Sequence, residues 1–262
     1  MADWEDFELQ CTNYLNKKFG LYADFTHQGG ADSTVPDILV ETKSGKSFYI
    51  EAKLSPAQCG QFVLQPDLES ATFLYSPQNI NRMNQYTQHM IDYMNNDFHT
   101  FREAGTPGKE LQMKNGADIF AGWIMEVYHN KGVEFFITNE FTILPIESFS
   151  KYFEISAKYR IKRSGSSNLG KNRISSVMDY IREHNYVITN FHVEGDKLFV
   201  TSTQDLHDTR FILKGIEYMF ALRNNEFELR KLSNTYHANV IFSIKQRPVD
   251  GLNNEDFTRY LE

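Results

Sequence analysis

The feature that most limits how this chain can fold is the stretch PDILVETKSGKSFYIEAK, residues 36–53. Two strand-like runs flank Lys43-Ser44-Gly45, a three-residue loop whose last position calls for the left-handed backbone that glycine adopts without strain. Closing that loop pairs Thr42 with Lys46. The register follows: Glu41 opposite Ser47, Val40 opposite Phe48, Leu39 opposite Tyr49, Ile38 opposite Ile50, and Asp37 opposite Glu51. Side chains alternate along a strand. Ile38, Val40, Phe48, Ile50 and Ala52 therefore make one apolar face, and Asp37, Glu51 and Lys53 gather at the open end of the other.

Carboxylates placed opposite one another have Cβ atoms about 5 Å apart and weaken a sheet by up to ~1 kcal/mol. A divalent cation offsets that repulsion, since hard ions such as Mg²⁺ take carboxylate oxygens and keep several waters. Lys53 is placed to hold or deprotonate a metal-bound water, or to steady a phosphate. The bland alternative is a solvated strand face on which Lys53 merely neutralises Glu51. The register speaks against it, because solvent-facing polar residues have no reason to collect at one end.

Periodicity predicts a helix over residues 3–19, stopped at Gly20, then a strand over 21–28 and a loop, GGADSTVP, before the hairpin. Pro56 reads as opening a short helix, AQCGQFVLQ. ATFLYS (71–76) reads as a strand and residues 79–97 as a long helix. After the break GTPGK, the runs AGWIMEVYH and VEFFITN read as strands joined at Asn130–Gly132. Beyond them lie a helix near 171–184 and a hairpin turning at Asn224-Asn225. This order predicts an α/β (mixed α+β) fold: a central mixed β-sheet flanked by helices, then a C-terminal α+β region. A soft domain boundary falls near 150, giving 1–150 and 151–262.

The chain has 262 residues, 41% of them hydrophobic, enough for a substantial core. Its apolar runs are too short to span a membrane. The acidic N-terminus lacks the layout of a signal peptide. Two distant cysteines, Cys11 and Cys59, make no disulfide framework and point to a reducing, cytoplasmic setting. The net charge of −7 hides an asymmetry: residues 1–150 carry 10 Lys+Arg against 20 Asp+Glu, and residues 151–262 carry 17 against 14. In KYRIKRSGSSNLGKNRI (158–174), six basic residues stand with no acid: Lys158, Arg160, Lys162, Arg163, Lys171 and Arg173. A polyanion can dock there, with small residues and a helix start near 171 presenting backbone N–H groups to phosphate.

Pro36-Asp37 and Glu51-Ala52-Lys53 resemble the signature of the PD-(D/E)XK nuclease superfamily, which includes many type II restriction endonucleases and Holliday-junction resolvases. The Gly29-Gly30 loop before the hairpin is also similar to the family's pattern. The resemblance covers roughly residues 3–75. It implies a restriction-endonuclease-like core that hydrolyses double-stranded DNA with Mg²⁺, for which Mn²⁺ substitutes. Asp37, Glu51 and the Ala52 carbonyl would bind the metal, and Lys53 would orient or activate water. In-line attack would break the P–O3′ bond, leaving a 5′-phosphate and a 3′-hydroxyl. Family members often add an acid from the first helix. Glu8 shares a face with Trp4, Cys11 and Leu15, whereas Glu5 sits at its edge, so Glu8 is the preferred candidate. The family often adds a glutamine after the lysine, and Gln58 and Gln61 both qualify. A homodimer and a cognate DNA methyltransferase are further implications for a type II restriction enzyme. A resolvase or repair nuclease, and a DNA-binding protein that has lost the chemistry, are the alternatives.

Other chemistries find little footing. The histidines form no HExxH or HxH pattern, so zinc is not expected. His129-Asn130 and His184-Asn185 read as structural. There is no GxSxG, and Gly170-Lys171-Asn172 lacks the Ser or Thr of a nucleotide-binding loop.

Overall fold

The computed structural model describes residues 3–28, 35–163, 165–233, 236–248 and 250–262. The predicted Gly29-Gly30 loop lies outside the described residues, as does the side chain of Arg163. The chain divides into two compact units, residues 1–160 with 238–262, and residues 161–237. In place of the single soft boundary expected near 150, the chain crosses between units twice.

The first unit begins with α1 (Asp3–Phe19), whose Phe7, Cys11, Leu15 and Phe19 recur at helical spacing and are buried. Strands β1 (Ala23–His27), β2 (Ile38–Thr42) and β3 (Ser47–Ala52) follow, then β4 (Ala57–Asp67) and β5 (Thr72–Tyr75). Next come α2 (Gln85–Asn95), α3 (Phe98–Arg102), β6 (Lys109–Glu110), α4 (Gly116–His129), β7 (Val133–Thr138), β8 (Thr142–Pro145), α5 (Phe149–Tyr152) and β9 (Phe153–Arg163). After the second unit the chain returns through β16 (Tyr236–Gln246) and ends in α7 (Asn254–Leu261).

One sheet runs β1-β2-β3-β7-β8, antiparallel throughout except for the parallel β3–β7 pair. A second runs β5-β4-β16-β9-β6. On the first sheet the apolar hairpin face, Ile38, Val40, Phe48 and Ile50, packs into one core with α1 and with Phe257 and Leu261 of α7. Burying each such side chain is worth roughly 1.5–3 kcal/mol, so the core fixes which way the charged face of the hairpin looks. Asn16 ties α1 to the sheet by donating to the Phe25 carbonyl at 2.7 Å and accepting the Phe25 N–H at 3.2 Å. Helix α4 bridges the two sheets: Tyr128 meets Phe136 of β7 edge-on, and Trp123 stacks on Phe242 of β16 at 4.4 Å.

Three local expectations change. AQCGQFVLQ is a strand, β4, with Cys59, Phe62 and Leu64 buried. The run after Asn115 is a helix, not a strand. Its aromatic content suggests a strand, yet Phe120, Ile124 and Val127 recur at three and four residues, with Trp123 beside them on the buried side. The long helix starts only at Gln85, where Asn84 caps it by accepting the Thr87 N–H at 2.9 Å.

The second unit contains β10 (Ser166–Ser167), α6 (Lys171–Glu183), β11 (Ile188–Glu194), β12 (Lys197–Ser202), β13 (Arg210–Leu213), β14 (Ile216–Arg223) and β15 (Glu226–Leu232). Its antiparallel sheet runs β11-β12-β15-β14-β13. Val177 and Ile181 of α6 pack on Leu198, Val200, Phe220 and Leu229. Asn224 and Asn225 both take positive φ, so the expected hairpin turn is present. Among the described residues no helix is long and apolar enough to cross a membrane.

Candidate active site

The hairpin closes as its loop dictates. Gly45 has φ 91°, and the Thr42 N–H donates to the Lys46 carbonyl at 2.9 Å. The ladder then runs from Glu41 opposite Ser47 to Ile38 opposite Ile50. Asp37 stands one residue beyond that last pair. Its Oδ2 accepts the Ala52 N–H at 2.8 Å, which fixes the carboxylate across the end of β3. Lys53 Nζ donates to Glu51 Oε1 at 2.5 Å and lies 3.8 Å from Asp37 Oδ2. One amine reaches both carboxylates, so all three groups face the same side of the sheet. Asp37 and Glu51 are only 9% and 6% exposed.

Glu8 belongs to the same place. It is buried, and its Oε2 lies 3.0 Å from His27 Nε2, a partner that no pattern in the sequence announces. Glu8, Asp37, Glu51 and Lys53 line one cleft of about 440 Å³ within the first unit, and Glu5 is not among its walls. The opposite wall comes from Gln58, Gly60 and Gln61 of β4 and from Trp123 and Tyr128 of α4. Lys131, just past α4, also lines the cleft, with its ammonium 5.4 Å from the centre of the Tyr128 ring. Trp123 and Tyr128 escape a reading of the sequence because their segment looks like a strand there, and Lys131 because it reads as part of the turn that follows. Gln58 and Gln61 both reach the cleft from a strand rather than a helix.

Burial and charge set the protonation of this cluster. Desolvation, reinforced by the neighbouring Glu51 charge, raises Asp37 from 3.8 to about 7; Lys53 and the Ala52 N–H oppose the rise. For Lys53, burial pulls the amine down, but the Glu51 and Asp37 carboxylates outweigh it and hold it above its ordinary value. The thiol of Cys59, behind the cluster, is pushed by burial up to about 12, which makes it an inert core residue. Among the described residues no group of three or more His, Cys, Asp and Glu side chains is arranged to hold a metal ion.

The basic run is less uniform than its sequence. Lys158 and Arg160 belong to the first unit, and Lys162, Lys171 and Arg173 to the second. The run has no acid in sequence, yet Glu110 of β6 pairs across the ladder with Lys158, its carboxylate 3.2 Å from the ammonium. Lys162 and Lys171 are exposed, Lys171 at the start of α6 as expected. Arg173 is half-buried, with Nη1 3.5 Å from the Leu169 carbonyl.

A mixed sheet flanked by helices, with a charged cleft at the open end of its central hairpin, defines a restriction-endonuclease-like fold. The solved structure of HhaI endonuclease in complex with DNA matches the chain with a TM-score of 0.76 and 36% sequence identity, over 99% of this chain and 98% of that one. The chain belongs to the family of HhaI endonuclease. No protein-family model and no curated protein sequence matches it.

Proposed function

We propose that this protein is a Mg²⁺-dependent endonuclease of double-stranded DNA, acting as a type II restriction enzyme. The observation that carries the reading is the Asp37–Glu51–Lys53 cluster, two buried carboxylates bridged by one amine at the edge of an open cleft. Likeness to an endonuclease solved with DNA supports it.

The residues present fit a hard divalent cation. Asp37 is raised because its charge is buried beside that of Glu51, and a cation would relieve that strain. Asp37, Glu51 and the Ala52 carbonyl supply oxygen ligands suited to Mg²⁺, with Mn²⁺ as a substitute. When bound, the metal lowers the pKa of a coordinated water and neutralises charge developing on the phosphate. Lys53, held protonated by its two carboxylates, serves as a donor that orients the attacking water rather than as its base. The Ala52 N–H keeps Asp37 in place through the reaction. Glu8, held by His27, presents a further carboxylate to the same cleft. Attack by water in line with the P–O3′ bond forms a new P–O bond as that bond breaks; of the two protons the water gives up, one passes to solvent and O3′ gains one in exchange, leaving a 5′-phosphate and a 3′-hydroxyl.

Exposed Lys162 and Lys171, with Arg160, Arg163 and Arg173, are assigned to DNA phosphates, contacts that give affinity without sequence choice. Two-strand cleavage calls for a homodimer, and protection of host DNA for a cognate methyltransferase acting on the same site. The test is to digest plasmid DNA with Mg²⁺ and sequence the ends. A discrete fragment set whose ends share one sequence supports the reading. A continuous smear, or a preference for branched over linear duplex, contradicts the restriction-enzyme assignment.

A further inference from the structure

Strand β4 carries an irregularity that decides which side chains look into the cleft. Its pairing with β16 matches Gln61 to Ile241 and Gln58 to Ser243, so Cys59 and Gly60 together stand opposite Phe242 alone. That is a one-residue β-bulge. In an unbroken strand, residues three apart point to opposite faces. Here Gln58 Nε2 lies 3.5 Å from Gln61 Oε1, and both side chains line the cleft. Gly60 permits the bulge: its φ is 91°, and a Cβ there would come within 2.8 Å of the Trp123 ring.

Asn239, on β16, completes the arrangement. It pairs with Val63, diagonal to Gln61, and its Nδ2 donates to Gln61 Oε1 at 3.1 Å. Asn239 is 7% exposed, and its Oδ1 is buried with no hydrogen-bond partner among the described residues. Folds rarely leave a buried acceptor unmet without a purpose at that place. With its oxygen held by Asn239, the Gln61 carboxamide is left with two N–H donors to present to the cleft that holds Asp37, Glu51 and Lys53.

We propose that Asn239 is a positioning residue: it fixes the Gln61 carboxamide so that its N–H donors meet an oxygen of the phosphate undergoing cleavage, where negative charge grows in the transition state. This rests on the nuclease reading above. It gives the strand that returns from the second unit a part in the site built by the hairpin.

The test is single-turnover cleavage of supercoiled plasmid DNA with Mg²⁺, measured over a range of enzyme concentrations. The curve separates a limiting rate from a half-saturating concentration. Asn239→Asp is nearly isosteric but offers only acceptors, so Gln61 must turn its N–H groups toward it and its oxygen toward the phosphate. The limiting rate is expected to fall about tenfold, the scale of one hydrogen bond to a charged group, at an unchanged half-saturating concentration. Asn239→Ala should cause no further loss in a Gln61→Ala background, because the two act as one unit. Additive losses, or a wild-type rate for Asn239→Asp, would overturn the proposal. Should the Asn239 variants fail to fold, exposed Gln61→Glu tests the same interaction; it should cut more slowly by repelling phosphate, and a wild-type rate would equally overturn it. Absence of cleavage by the unaltered protein with both Mg²⁺ and Mn²⁺ would instead remove the nuclease reading, and would show before any variant is compared.

Discussion

Lys53 Nζ sits 2.5 Å from Glu51 Oε1 and 3.8 Å from Asp37 Oδ2, bridging two carboxylates that the hairpin register places at its open end. The ammonium stands against both carboxylates at one point, and it opposes the rise that burial beside Glu51 imposes on Asp37.

The first consequence is a pH dependence of stability. Asp37 is raised from 3.8 unfolded to about 7 folded, so the folded state binds the extra proton between those values. Its contribution is fully present below about pH 4 and is lost as pH rises through about 7. Asp37→Asn should therefore be more stable than the unaltered protein at pH 8, by at most ~4 kcal/mol, and no more stable at pH 4. Urea midpoints at the two pH values check this. Equal midpoints at pH 8 would mean that Asp37 is not strained by its surroundings.

A divalent cation should reverse that strain. At pH 8, millimolar Mg²⁺ or Ca²⁺ should raise the melting temperature of the unaltered protein and leave that of Asp37→Asn unmoved. The shift should shrink at pH 5, where Asp37 is protonated. Differential scanning calorimetry with and without the cation makes the comparison.

Gly60→Ala places a side chain at φ 91° and against the Trp123 ring, 2.8 Å away. A cost of about 1–3 kcal/mol is expected from the backbone alone. Chemical denaturation should show it, whereas Gly45→Ala, whose added Cβ meets nothing within 4 Å, should cost only the backbone part.

The basic run divides into paired and exposed members. Neutralising Arg160, Lys162 and Arg163 together should flatten the salt dependence of DNA binding, by up to ~0.9 in log–log slope for each phosphate no longer neutralised. Lys158→Ala should change it little, because Glu110 already lies against that ammonium. A slope unaffected by the triple change would remove the segment from the interface.

How much of this is legible in the sequence follows from the range of the interactions. The hairpin register, the apolar face and the gathering of Asp37, Glu51 and Lys53 are local: a turn residue and strand alternation determine them. Glu8 is legible as an acid on an apolar helical face. His27 is not, because its pairing with Glu8 depends on how α1 lies against β1. The far wall of the cleft is hidden for a different reason. The bulge at Gly60 breaks strand alternation, so β4 reads as a helix, and α4 is rich in aromatics that favour strands elsewhere. Asn239 meets Gln61 across 178 positions of sequence, beyond the reach of any local pattern. The basic run looks free of acid in sequence because Glu110 approaches Lys158 only through the β6–β9 ladder.

Asp37, Glu51 and Lys53 are proposed to form a metal-dependent phosphodiesterase site. The most direct test is the rate of plasmid cleavage with Mg²⁺ by the unaltered protein, by Asp37→Ala and by Lys53→Ala, each shown to be folded. The expected result is discrete fragments from the unaltered protein, their loss on chelation of the metal, and a rate at least a hundredfold lower for either variant, roughly 2.7 kcal/mol of transition-state stabilisation. Cleavage by either variant at the unaltered rate, or binding without cleavage under every divalent metal, would contradict that assignment.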